Sequence, residues 1–288
     1  VGPREVLMSR VRRLCRLAPL VAFVAACGLV ATAAPRPQPA AAAPAEGSAD
    51  WVAARIDARD TGRDSRLAMT MRLDDRQGRA RERTLVITSL AAVGARGDRV
   101  LVRFLGPADI RGTGFLVWEH AQREDERFLY LPALGRVRRI AGAEAQESFV
   151  GSDLSYEDIG GRKLTDYTYK MVEASTTWRD AQGTAHPAWR IESTAKDAGA
   201  RYPRTLSLVR KDAFVIVEAQ VFNRRGEREK QYTVARLDRP GGIWTVMDAT
   251  MANEATRTRT TLVVTEARYN TGLTEAAFSR RELEQGGR

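Results

Sequence analysis

Between Ser65 and Tyr269 short runs of alternating apolar and polar residues follow one another with turn residues between them, a pattern that fits an antiparallel sheet and little else. Leu67, Met69, Met71 and Leu73 mark one face of a first strand, residues 74–78 form a turn, and the alternation returns through Arg81, Arg83, Leu85 and Ile87 as a β-hairpin. Residues 100–104 give a third strand. The run Phe115-Leu116-Val117-Trp118 gives another, bracketed by Gly106-Pro107 and Arg111-Gly112-Thr113-Gly114. Phe128-Leu129-Tyr130-Leu131 is strand-length and is stopped by Pro132. If that strand continues, Arg136, Arg138 and Ile140 lie opposite Val137 and Arg139, and a strand with arginines on both faces is not wholly buried. Further strands are expected over residues 167–172, 189–193, 205–210, 214–222, 228–237, 243–250 and 256–269. With almost no helix between them, the fold class is mainly β with some α: a curved antiparallel meander that either closes into a barrel or wraps an open trough.

The chain of 288 residues is long enough for one large domain or two small ones. Residues 1–27 read as a signal peptide: arginines up to Arg16 precede an apolar stretch, residues 17–26, too short to span a bilayer comfortably. Two cleavage readings stand side by side. Val24-Ala25-Ala26-Cys27 resembles a lipobox that would leave Cys27 lipidated, and the alanine-rich stretch to about residue 45 suits ordinary signal peptidase. Residues 28–49 form a Pro/Ala-rich linker, and residues 50–288 the folded domain. That domain begins with an amphipathic helix in which Asp50 is the N-cap candidate and Val52 and Ile56 are one turn apart. Cys15 and Cys27 both fall in or beside the leader, so the domain has no disulfide and no thiolate metal site. Formal charge is +10, and without residues 1–27 it is +6, from 41 basic and 35 acidic residues. The basic residues are scattered rather than gathered on one stripe, which argues against nucleic acid as partner.

Three ordered motifs carry a family resemblance. Arg103-Phe104 through Gly114, Tyr130-Leu131-Pro132 with residues 136–140 (RVRRI), and residues 148–153 (SFVGSD) followed by Tyr156-Glu157-Asp158 together resemble the outer-membrane lipoprotein-sorting-like proteins, larger relatives of the periplasmic LolA-type lipoprotein carriers. The resemblance runs from about Trp51 to the C-terminus, including residues 270–273 and Phe278-Ser279. It implies a curved antiparallel sheet forming a half-open, incomplete barrel, an open trough with short helices as plug or lid, residence in the periplasm of a Gram-negative bacterium, and a lipid or acylated lipoprotein as partner. A second function in keeping with it is a non-enzymatic accessory module that docks an inner-membrane (RND-type) transporter without carrying lipid.

Material for catalysis is sparse. His120 and His186 are the two histidines, and neither has a partner at metal-ligand spacing. Asp153, Glu157 and Asp158 lack the calcium-loop spacing, Arg111-Gly112-Thr113-Gly114 lacks the P-loop lysine, and Ser152 is not in a nucleophile elbow. No cofactor, metal or enzymatic activity is expected. The apolar residues Met69, Met71, Phe104, Phe115, Trp118, Phe128, Tyr130, Phe149 and Tyr156 either fill a solid core or line a trough for acyl chains, where burial contributes about 0.8 kcal/mol per methylene. Arg136, Arg138 and Arg139 either meet lipid phosphate or a partner, or pair with Asp153, Glu157 and Asp158 to hold the loop that carries them. The segment ending at Asp158 reads as a loop folded over a mouth.

Overall fold

The computed structural model describes residues 43–92, 96–120 and 123–286. The expected signal peptide and Cys27 lie outside the described residues, as does most of the expected Pro/Ala-rich linker. The first helix, α1 (Ala49–Asp57), starts one residue before Asp50, because Ser48 rather than Asp50 is its N-cap and accepts from Trp51 N at 3.1 Å. Asp50 sits in the first turn instead, where its charge suits the helix dipole.

Six strands follow as a meander: β1 (Asp64–Asp74), β2 (Ala80–Leu90), β3 (Arg96–Gly106), β4 (Gly114–His120), β5 (Glu126–Leu131) and β6 (Arg136–Ile140). The strand stops before Pro132, as the sequence indicates, and does not continue into residues 136–140. Pro132–Leu134 form a 3-10 turn closed by Gly135 in the left-handed region, and β6 returns beside β5 with Leu131 opposite Arg136. The short helix α2 (Tyr156–Gly160) lies between the two halves of the sheet in sequence. The second half is β7 (Tyr167–Arg179), β8 (Ala185–Ala195), β9 (Arg204–Arg210), β10 (Val215–Phe222), β11 (Arg228–Asp238), β12 (Thr245–Asn253) and β13 (Thr258–Tyr269), followed by α3 (Arg280–Gln285).

β13 pairs antiparallel with β1, so the two meanders join into one sheet of 13 strands with β6 at one edge and β7 at the other. The sheet is curved and open, and the edges are not paired to each other. Laid flat it would be about 58 Å wide at ordinary strand spacing. Its curl has a visible cause in the bulges at Ala68/Met69, Thr84/Leu85, Ile216/Glu218 and Val234/Arg236, each of which bends its strand. The chain therefore crosses from β6 to β7 over the inner face, folding into 3-10 turns and α2 on the way.

Pairing partners share a face, which fixes the two sides of the sheet. Leu73, Thr260, Met251, Tyr232, Ala219, Ser207, Ile191 and Met171 form one continuous row across β1, β13, β12, β11, β10, β9, β8 and β7. Along β2 to β5 the same inner face carries Leu85, Phe104, Val102, Phe115 and Leu129. At the β7–β9 side, α1 covers this face, with Val52 fully buried against Ile191 and Val209. On the outer face Leu101, Leu116, Phe128 and Tyr130 pack under Phe278 and Leu283 of the C-terminal segment. Arg103 projects to that side and donates to the carbonyls of Leu283 at 2.7 Å and Glu282 at 2.8 Å, satisfying the end of α3.

Candidate functional site

The inner face over β1–β5, β12 and β13 is where apolar side chains converge, and the segment between β6 and β7 sits in it as a plug. Phe149, fully buried, reaches Phe104 and Phe115 with ring centroids 5.9 and 5.5 Å apart, and Tyr156 meets Phe115 at 5.1 Å. Such offset and tilted contacts add to the burial of the rings themselves. Leu154 enters the same cluster beside Met69, Met71, Met251 and Val264. Local chemistry shapes the plug: Ser155 and Asp158 form a reciprocal capping box for α2, which stops at Gly161. Val150 at φ 50° and Gly151 at φ 75° make the tight turn that aims Phe149 inward. A β-branched residue in the left-handed region costs about 1–2 kcal/mol, so the surrounding contacts impose that turn.

Four side chains from the sheet hold the plug. Arg83 of β2 donates to the Val150 carbonyl at 2.7 Å, and Lys230 of β11 to the Asp153 carbonyl at 2.6 Å. The Asp153 carboxylate accepts from Thr258 and, at 2.8 Å, from Thr260, whose hydroxyl oxygen also accepts from Asp153 N. Lys230 and Asp153 are both buried. Burial lowers the Lys230 pKa, with Asp158 and Asp153 pulling the other way.

The expected set of plug-holding pairs is corrected here. Asp153 meets threonines rather than arginines, Asp158 pairs with Arg162 at 3.0 Å, and Arg138 pairs with Glu144 at 2.9 Å beside the Tyr156 hydroxyl. Glu157 takes the Tyr167 hydroxyl at 3.3 Å. Arg136 and Arg139 are exposed and form no ion pair with these carboxylates. The apolar set also divides. Met69, Met71, Phe104, Phe115, Phe149 and Tyr156 come together in the inner cluster, whereas Trp118, Phe128 and Tyr130 lie on the outer face. Strand parity explains the division: Phe115 and Val117 point inward on β4, so Leu116 and Trp118 point out, and Trp118 Nε1 donates to the Phe278 carbonyl at 2.7 Å.

Beside the plug a cavity of about 170 Å³ remains, lined by Leu67, Met69, Leu154, Tyr232, Met251 and Leu262 among others. Burial pushes the Tyr232 phenol up to about 12, so it stays neutral there. An apolar space of roughly 150 Å³ holds one benzene-sized group, so this one has room for a group of about that size while the plug is in place. A larger hollow of about 420 Å³ at the other side of the plug is polar, lined by Arg123, Asp125, Arg127, Glu157, Lys163 and Asp166. Its charges are largely spent on one another, with Asp125 bound by Arg127 at 3.0 Å and Lys163 at 2.8 Å. Nearby, burial together with Asp98 and Asp125 pushes the Glu119 carboxyl up to about 7. His120 faces Glu126 at 3.1 Å and His186 faces Asp180 at 2.9 Å, each across its own hairpin. Among the described residues no group of His, Cys, Asp and Glu is arranged to hold a metal, and no helix is long and apolar enough to cross a membrane.

A family model described as uncharacterized-protein-like matches residues 96–285. A solved domain from Vibrio parahaemolyticus, described as an outer membrane lipoprotein-sorting protein, superposes with a TM-score of 0.75 at 28% identity, covering 82% of this chain and 98% of its own. The chain belongs to the family whose model spans residues 96–285, and its fold is LolA-like. A DUF1329 family protein from Desulfovibrio piger is similar at 29% identity and a TM-score of 0.74, over 82% of this chain and 97% of that one. A LolA superfamily protein from Nitrosomonas europaea, 14% identical with a TM-score of 0.60 over 82% of this chain and 99% of its own, shares the LolA-like fold. No curated protein matches the chain.

Sequence reasoning missed Arg83, Lys230, Thr258 and Thr260 as holders of the plug. One signal was available: Thr258 and Thr260 alternate on an inward face that is otherwise apolar, where a small hydroxyl needs a partner. Tyr232 and Leu154 as cavity residues carried no local signal.

Proposed function

We propose that this LolA-like protein is a periplasmic carrier that binds acyl chains of a lipid or lipoprotein on the inner face of its sheet and passes them on within the envelope. The observation that carries this reading is the apolar cavity of about 170 Å³ between the plug and β1, β11, β12 and β13, continuous with the cluster that the plug itself fills. Withdrawal of Phe149, Leu154 and Tyr156 would lengthen that space along Met69, Met71, Phe104 and Phe115, which then serve as the lining of a trough. Carriage needs no catalytic group. Each methylene moved from water contributes about 0.8 kcal/mol, so one chain of ordinary length is enough for tight binding. Similarity to the lipoprotein-sorting domain of Vibrio parahaemolyticus supports the same reading. Cleavage with lipidation at Cys27 would make the carrier tethered, and cleavage among the alanines would make it a shuttle.

Uptake of a fluorescent fatty acid tests the cavity directly. Met251→Trp and Leu262→Trp fill it from two neighbouring strands and are expected to weaken uptake at least tenfold, while Leu116→Met on the outer face leaves it unchanged. Equal uptake by all three variants would remove the cavity from the mechanism. The well-filled inner cluster favours a second reading, an accessory module that docks an inner-membrane transporter and carries nothing. Absence of any uptake, with the fold intact, would select it.

A further inference from the structure

Strands alternate in direction across the sheet, so the β1–β2, β3–β4, β5–β6, β10–β11 and β12–β13 connections all emerge at one end. Each of them carries an exposed arginine without an ion pair, Arg76, Arg111, Arg136, Arg225 and Arg257, and the β8–β9 connection at the same end carries Arg201 paired with Glu229. Carboxylates at this end are partly occupied by other cations, Asp75 by Arg79, Glu229 by Arg201 and Glu254 by Arg228, while Glu82, Asp109, Asp197 and Glu227 stand among the free arginines. The opposite end is mixed in charge, with Asp98, Glu119, Asp125, Asp180, Asp212 and Asp238 near its connections beside Arg123, Lys163, Lys211 and Arg239.

The basic end also exposes apolar groups. Leu134 is 58% exposed at the tip of the β5–β6 turn, beside exposed Pro132 and Ala133. Leu105 is 48% exposed at the β3–β4 connection, beside exposed Pro107 and Ala108. These two tips are about two strand spacings, roughly 10 Å, apart. Leucines at hairpin tips ringed by unpaired arginines suit a planar interface that is apolar within and anionic at its surface. A protein partner would be expected to meet a concave or continuous patch, whereas here the cations are spread over five separate connections.

We propose that this end of the sheet docks on the surface of a bilayer containing anionic phospholipid, with Leu134 and Leu105 entering the boundary between headgroups and acyl chains and the arginines meeting phosphates. The side chains that hold the plug, Arg83, Lys230, Thr258 and Thr260, belong to the starts of β2, β11 and β13 and so lie at this same end. Docking therefore brings the anchors of the plug to the lipid. The inference does not depend on acyl carriage, because vesicle binding and cavity occupancy are read separately.

The test is co-sedimentation of the full chain with vesicles of phosphatidylethanolamine and phosphatidylglycerol, against vesicles of phosphatidylcholine alone. Preferential, salt-sensitive binding to the anionic vesicles is expected. Arg111→Gln and Arg136→Gln should each weaken it about fivefold, and Leu134→Gln should weaken it further. Arg179→Gln, at the opposite end, should leave it unchanged, and unaltered thermal unfolding of every variant shows that the turns still fold. Equal binding to both kinds of vesicle, or anionic binding untouched by the Arg111→Gln, Arg136→Gln double variant, overturns the proposal. Retention on polyglutamate without vesicle binding overturns it in favour of an acidic protein partner.

Discussion

Asp64, the first residue of β1, ties the C-terminal segment to the middle of the sheet. Its carboxylate accepts from Thr271 N at 2.7 Å, Thr271 Oγ1 at 2.6 Å and Gly272 N at 3.0 Å. Burial favours the neutral acid, but these hydrogen bonds outweigh it and hold the pKa below the usual carboxylate range. A depressed folded-state pKa means stability that is present above the unfolded value, about 3.9, and is lost as pH falls through the folded value. Asp64→Ala is expected to cost about 2 kcal/mol at neutral pH, with the difference from the parent shrinking below about pH 4, as measured by urea unfolding at several pH values. Arg103 performs the matching task on the outer face. Its buried guanidinium, lowered in pKa by that burial, satisfies carbonyls at the end of α3.

The plug is held by polar contacts at its turn and by apolar contacts along its length, and the two kinds differ in what their removal does. Asp153→Ala strips the hydrogen bonds from Thr258 and Thr260 while leaving Phe149 and Tyr156 in place. Hydrogen exchange should then speed up over residues 147–158 by at least tenfold, with β1 and β13 unchanged, whereas equal protection would show that the threonines do not hold the plug. The elements themselves were largely legible in the sequence. Period two located the strands, and Pro132 located an end. The residue pattern could not say that residues 136–140 form a separate edge strand, since the turn at Gly135 depends on a left-handed backbone that local propensity does not reveal. Alternation also says which residues share a face, not which face is inner. Trp118, Phe128 and Tyr130 were thus grouped with Phe115, although they point away from it toward α3. Proximity in sequence suggests arginine–carboxylate pairs at the plug, whereas the partners of Val150 and Asp153 come from β2, β11 and β13.

For the molecule as a whole, the order of the strands decides what the inner face is able to do. The two meanders meet at β1 and β13, and the sheet's free edges, β6 and β7, are the places where the crossing segment begins and ends. The crossing segment is accordingly confined to the inner face, and any cargo there competes with Phe149, Leu154 and Tyr156 for the same apolar surface. This competition is the central claim, and native mass spectrometry of the chain exported from a Gram-negative host, before and after solvent extraction, tests it most directly. The account predicts adducts of acyl-lipid mass that leave on extraction, at higher occupancy in a Lys230→Met variant whose plug has lost one of its anchors. A bare chain that also refuses added lipid, in both the parent and the variant, would contradict it.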